Sequence, residues 1–169
     1  MTQPIPAAEP RVLGQLLTAH SAFSVFSDKQ KVAEFIQRTV EGVPGVSSCG
    51  VCLRGGVRPR MGAADIHECA ACAMYRTEIG QGEAGQCPLS NQTGMRVIPL
   101  QTQDEHYGFL VLKLEADKPF APYAPFVDNL ANTLALNAER RWQKQQLEAA
   151  NDELLTLRDH LQDLVAKRT

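Results

Sequence analysis

The sequence predicts an α+β domain with an antiparallel sheet, followed by one long C-terminal helix. Two amphipathic helical patterns come first, apolar runs of strand length follow them, and no helix breaker interrupts residues 126–169. With 169 residues, 44% of them hydrophobic and 21% charged, the composition suits one globular domain plus an extension. We expect a flexible lead over residues 1–10, the domain over 11–140 and a coiled-coil helix over 141–169.

Both N-terminal patterns have the spacing of amphipathic helices. Apolar residues recur at helical spacing over residues 12–23 and again over 32–40. Ser27, followed three residues later by Gln30, fits a capping box, in which each side chain satisfies a backbone N–H at a helix start. We therefore expect the second helix to begin at Ser27 and to end at the glycines and proline of residues 42–45.

Four apolar runs are predicted to be strands. They are Val46–Leu53, Val57–Met61, Met95–Gln101 and Tyr107–Leu114. The last two are separated by a short polar segment, as the strands of an antiparallel hairpin are. Pro99 cannot donate a ladder hydrogen bond, which predicts that the third run lies at a sheet edge or contains a bulge.

Residues 62–94, which contain three of the five cysteines, are predicted to be mainly a long irregular segment. Cys69 and Cys72 have the CxxC spacing that lets two thiolates bind one metal ion from a turn. His67 and Cys87 could complete a set of four ligands. Because thiolates favour soft metals, the candidate cofactors are zinc or an iron–sulfur cluster.

Two other interpretations of the cysteines stay open. Cys69 and Cys72 could cycle between dithiol and disulfide, or the cysteines could simply be small buried residues of the core. Cys49 and Cys52 form a second CxxC. Residues three apart on a strand point to opposite faces, so this second pair should not converge on one metal ion. An odd number of cysteines also argues against a disulfide framework.

The charge and hydropathy of the chain exclude two classes of partner. A net charge of −2 and a pI near 6.1 give no basic surface for nucleic acid. No stretch approaches the roughly 18 to 20 consecutive apolar residues that span a bilayer. The first ten residues lack the basic start and apolar core of a signal peptide. We expect a cytoplasmic protein with no nucleic-acid or membrane partner, whose thiols are kept reduced.

The end of the chain has the heptad pattern of a two-stranded coiled coil. In a parallel dimer, Glu153 at position g would face Arg158 at position e of the other chain, and the two charges are opposite. We therefore predict a homodimer through this helix. The alternative is a long helix that packs within its own chain or against another domain. The pattern has Leu147, Leu154 and Leu161 at position a, and Ala150, Leu157 and Leu164 at position d.

The segment from Met95 onward resembles the end of GAF domains found at the N-terminus of bacterial sensor histidine kinases. The matching features are MRVIPLQT, a hairpin turn, YGFLVLKL, and then a helix that leads outward. In the order of its elements the resemblance covers residues 11–169. It implies a six-stranded antiparallel sheet, with helices on one face and a pocket on the other.

The resemblance also implies a function. It suggests a sensory module of a two-component system that detects a small molecule, or a redox or metal state, and transmits it through the dimeric helix to an output domain absent from this sequence. The pocket would lie between the sheet and the irregular segment. Its expected lining is Val51, Leu53, Met74, Tyr75, Ile98 and Phe109.

Several departures limit what the resemblance implies. His160 does not stand in the setting of a kinase phosphoacceptor, and no glycine-rich nucleotide site follows it. The NKFDE motif of cyclic-nucleotide GAF domains and the Cys-His pair that attaches bilins in phytochromes are also missing. We therefore expect no enzymatic activity in this chain and carry over no ligand. A GAF-type redox enzyme that uses cysteines, and a pure dimerisation module, are the alternatives.

Overall fold

The computed structural model describes residues 7–22, 25–26, 28–53, 87–103 and 105–168. These residues form an α+β fold. In chain order the main elements are helices α1 (Pro10–Ala22) and α2 (Lys29–Glu41), strands β1 (Val46–Leu53), β2 (Met95–Gln101) and β3 (His106–Leu114), a short helix α3 (Asp117–Phe120) and a long helix α4 (Ala124–Arg168). Two 3-10 turns, Pro88–Asn91 and Ala121–Tyr123, precede β2 and α4.

The N-cap of helix α2 lies one residue later than its sequence pattern predicts. The carboxylate of Asp28, in extended conformation, accepts a hydrogen bond of 2.9 Å from the backbone N–H of Gln30. A carboxylate satisfies a free N–H at a helix start well and also suits the positive end of the helix dipole. Asp28 therefore takes the capping role that the sequence suggested for Ser27, which lies outside the described residues.

The described sheet has three antiparallel strands in the order β1-β3-β2. The expectation of about six strands is therefore wrong for this part of the chain. That number came from the family resemblance, whereas only three of the predicted apolar runs lie within the described residues and all three became strands. The fourth run, Val57–Met61, lies outside them. Pro99 lies in β2, an edge strand, as its missing N–H predicts.

One face of the sheet packs against the helices and forms the main core. Helix α2 contacts β1, and α4 contacts β2, β3 and α1. Alternation along β1 turns Cys49, Val51 and Leu53 toward this core. Fully buried side chains from the sheet and from α1, α2 and α4 meet there. Each buried leucine or isoleucine contributes about 1.5 to 3 kcal/mol through removal of apolar surface from water. They include Leu16, Ile36, Leu110, Leu112 and Leu130.

One position near the start of the central strand β3 requires glycine. Gly108 in β3 pairs with Leu53 on one side and with Leu100 on the other. Its φ is +145°, and a Cβ atom at this position would lie 2.0 Å from the carbonyl oxygen of Cys52. Only glycine fits such a close approach of two backbones, so this position keeps β1 and β3 in contact next to Cys52.

Helix α4 has 45 residues, and only its first part packs on the domain. Its buried residues lie between Val127 and Ala135, and every residue from Trp142 to Arg168 is exposed. At about 1.5 Å per residue, the exposed part is roughly 40 Å long. The prediction of one long C-terminal helix is confirmed. Among the described helices, none combines the length and apolarity needed to cross a membrane.

Candidate functional site

The face of the sheet opposite the helices carries a second, smaller apolar cluster. Strand β1 contributes Cys52, β3 contributes Phe109 and Val111, and the 3-10 turn before β2 contributes Leu89 next to Cys87. All five side chains are buried, and Met95 and Val97 of β2 pack against them partly exposed. We call these seven residues the second-face cluster. Because they project from the face opposite the described helices, they occupy the side on which a GAF-like pocket is expected.

Cys49 and Cys52 lie on opposite faces of the sheet, as the alternation of side chains along a strand predicts. Cys49 is buried in the main core, and its backbone N–H donates a 3.2 Å hydrogen bond to Oε1 of Glu41. Burial, and to a smaller degree the nearby Glu41 carboxylate, raise the pKa of the Cys49 thiol. Since the thiolate is the reactive form, Cys49 is an inert packing residue.

Cys52 and Cys87 meet in the second-face cluster. Cys52 is the register partner of Phe109, and Cys87 directly precedes the 3-10 turn. Both thiols are buried. Sequence reasoning selected Cys87 as a metal ligand but did not place Cys52 beside it. The sequence did indicate the position of Cys52, because a strand that turns Cys49 toward the helices must turn Cys52 toward the other face.

The residues predicted to line a pocket do not share one face. Val51 and Leu53 are buried in the main core, and Ile98 packs against the same core. Phe109 lies in the second-face cluster. The register explains the division: Val51 pairs with Leu110, and Cys52 pairs with Phe109, so Phe109 shares its face with Cys52 rather than with Val51.

The remaining predicted site residues are outside the described residues. Of the four proposed metal ligands, His67, Cys69 and Cys72 lie there, and only Cys87 is described. The same holds for Met74 and Tyr75 of the expected pocket lining. Within residues 7–53 and 87–168, as far as they are described, no three His, Cys, Asp or Glu side chains converge as a metal site would require. The metal hypothesis therefore stays a prediction.

Two polar contacts connect the sheet to helix α4. The guanidinium of Arg96, in β2, donates to both carboxylate oxygens of Asp128 at 3.0 and 2.9 Å. It also lies 5.6 Å from the centroid of the Phe120 ring. One residue beyond β2, Oγ1 of Thr102 donates a 3.0 Å hydrogen bond to Oε1 of Glu139. The edge strand that carries Met95 and Val97 of the second-face cluster is thus attached directly to the long helix.

The exposed part of α4 presents a row of leucines to solvent. We call the a and d positions from Leu147 to Leu164 the leucine seam. A contiguous apolar patch on a protein surface usually marks an interaction site rather than a solvated face. The exposed fractions of its leucines are 72% for Leu147, 64% for Leu154, 53% for Leu157, 54% for Leu161 and 46% for Leu164.

The charges beside the seam are accessible too. Glu153 is exposed, and the guanidinium of Arg158 contacts the carboxylate of its own neighbour Asp159 at 2.8 Å, with both side chains more than half exposed. An exposed pair of this kind contributes little free energy, so it does not prevent Arg158 from pairing elsewhere.

Comparison with known protein families, curated proteins and solved structures finds no match for this chain.

Proposed function

We propose that this chain is a dimeric sensory module of GAF type, in which the second face of the sheet detects a signal and helix α4 transmits it. The observation that carries the proposal is the leucine seam, which lies on a stretch of α4 roughly 40 Å long whose residues are all exposed. The setting we propose is a cytoplasmic two-component protein of the sensor histidine kinase class.

A second copy of the chain is the occupant that best fits the seam. Leucine or alanine at every a and d position suits a helix with the same spacing, and an identical helix in register supplies it. In the parallel arrangement Glu153 lies opposite Arg158 of the second copy, so the flanking charges complement each other. This pairing favours the parallel orientation, which places both domains at the same end of the coil.

The detecting part of the proposal is supported by the contacts around β2. The second-face cluster includes two side chains of β2, and Arg96 of the same strand is hydrogen-bonded to Asp128 of α4. A ligand or a thiol reaction that prefers one position of β2 would therefore bias the position of α4. It can do so only by the difference between its affinities for the two states.

The dimer is tested by a pair of adjacent substitutions. Leu154→Asp places a charge in the seam at position a, and Leu155→Asp places the same charge at position b, outside it. We expect the wild-type chain and Leu155→Asp to be dimers and Leu154→Asp to be a monomer in sedimentation equilibrium, because only the first charge would be buried. The proposal is wrong if the wild type is monomeric, or if both substitutions have the same effect.

The nature of the signal is tested by metal and thiol analysis of protein purified without oxygen. Stoichiometric zinc, or the visible absorption of an iron–sulfur cluster, would support metal sensing. In that case Cys87→Ser should lose metal and Cys49→Ala should keep it, since Cys49 is buried on the other face. Five titratable thiols and no metal would contradict metal sensing and leave a small molecule or a thiol reaction as the signal.

A further inference from the structure

The heptad phase of the leucine seam continues backward into the part of α4 that packs on the domain. Counting back from Leu147 at position a places Gln143 at d, Arg140 at a and Leu136 at d. Leu136 is 50% exposed although it lies within the packed part of the helix, and Arg140 and Gln143 are exposed as well. The line of the seam therefore extends over the domain on the solvent side of α4.

The core-facing side of the helix is clearly separate from this line. Leu134 is buried, whereas Leu136 lies two residues further on, about 200° around the helix, and is exposed. The adjacent residues Arg140 and Arg141 also lie on these two different sides of the helix. The guanidinium of Arg141 donates to the backbone carbonyl of Phe26 and is held by the domain, while Arg140 is exposed.

The charges along this extension match those beside the leucine seam. Glu139 stands at position g and Lys144 at the following e. In a parallel dimer Glu139 faces Lys144 of the second copy. Glu153 and Arg158 have the same arrangement two heptads further along the helix. The carboxylate of Glu139 is held in place by its hydrogen bond from Thr102 at the end of β2.

We propose that the interface with the second copy extends from the leucine seam back to Leu136, and that the two Arg140 side chains face each other across it as a weak junction. This inference rests on the proposed dimer. A polar or charged residue at a single position a lowers the stability of a coiled coil but specifies two strands and their register. The leucine seam then holds the two chains together, while the segment around Arg140 can open or rotate when the domains move.

A single substitution tests this junction. Arg140→Leu removes two facing positive charges and adds a leucine pair to the seam, so the dissociation constant of the dimer should fall by at least about tenfold. The matched control is Gln145→Leu, which adds the same side chain at the outer position f and should leave the dissociation constant unchanged. Both are measured by sedimentation of the full chain over a range of concentrations.

A second variant approaches the same interface from the domain side. Leu136→Asp should weaken the dimer and leave the urea unfolding of the domain unchanged, since Leu136 is half exposed and outside the main core. The inference is overturned if Arg140→Leu has no effect, or if Gln145→Leu tightens the dimer equally. If Leu154→Asp still dissociates the dimer, those results would support the leucine seam as the interface and contradict only its extension to Leu136. A monomeric wild type would overturn the proposed function and this inference with it.

Discussion

The two parts of helix α4 have the same backbone geometry but opposite surroundings. Over residues 124–141 the apolar side is buried against the sheet and α1, and two of its buried positions are alanines, Ala131 and Ala135, which let the helix lie close to its neighbours. Over residues 142–168 every residue is exposed, and leucines recur at heptad spacing. One continuous helix therefore carries two different apolar patterns.

The two parts of α4 differ in what packs against them and not in their ability to form a helix. The first part is stabilised by the domain core within one chain. The second has the spacing of a coiled coil, and in the proposed dimer it gains its stability from the same helix of a second copy, since tertiary packing supplies most helical stability in proteins. In the proposed function, a change in the position of the first part would be transmitted along the helix axis to the second.

The largest expected effect is on the domain half. Leu130→Ala leaves a cavity in the main core, where Leu130 is fully buried. We expect the free energy of unfolding of the domain to fall by about 2 to 5 kcal/mol. Urea unfolding followed by circular dichroism should show this loss equally at low and high protein concentration. Leu155→Ala is the control, since Leu155 is exposed outside both apolar patterns, and a comparable loss there would contradict the division of α4.

The second-largest expected effect is on dimerisation through the exposed part of α4. Leu157→Ala truncates a residue at position d that is 53% exposed in the single chain. If a second copy covers it, the dissociation constant of the dimer should rise by at least about tenfold, because a leucine is lost from each helix. Unfolding of the domain itself should be unaffected under conditions in which the wild type is monomeric. A loss of stability that is independent of concentration would instead place Leu157 against its own chain.

Part of this fold could be predicted from the sequence because some apolar runs have sharp limits. Val46–Leu53 and Met95–Gln101 are strands over the predicted residues, since glycine or polar residues bound both runs. The opposite orientation of Cys49 and Cys52 followed from strand alternation alone. The start of α4 was equally visible, because a group of prolines precedes a long stretch without a helix breaker.

The parts that could not be predicted depend on how strands are paired. Whether Phe109 shares a face with Val51 or with Cys52 is decided by the register between β1 and β3, and a shift of one residue would reverse it. The number of strands was taken from a family resemblance and not from the residues, and the described sheet contradicts it. The contact between Arg96 and Asp128 joins residues 32 positions apart, which no local pattern indicates.

The smallest expected effect compares two ion pairs, one in each part of α4. Arg96 and Asp128 form two hydrogen bonds of 3.0 and 2.9 Å, and their side chains are 39% and 43% exposed. Lys144 and Glu148 are 3.7 Å apart, with side chains 76% and 63% exposed. In double-mutant cycles that neutralise each pair, we expect a coupling energy approaching about 1 kcal/mol for the first and no more than about 0.5 kcal/mol for the second. The first pair should couple more strongly because both carboxylate oxygens accept from Nη2 of Arg96, because it is less exposed and because it lies near the Phe120 ring. Equal coupling energies in urea unfolding would show that Arg96 does not fix β2 to the helix, and the proposed path from the sheet to α4 would then need another contact.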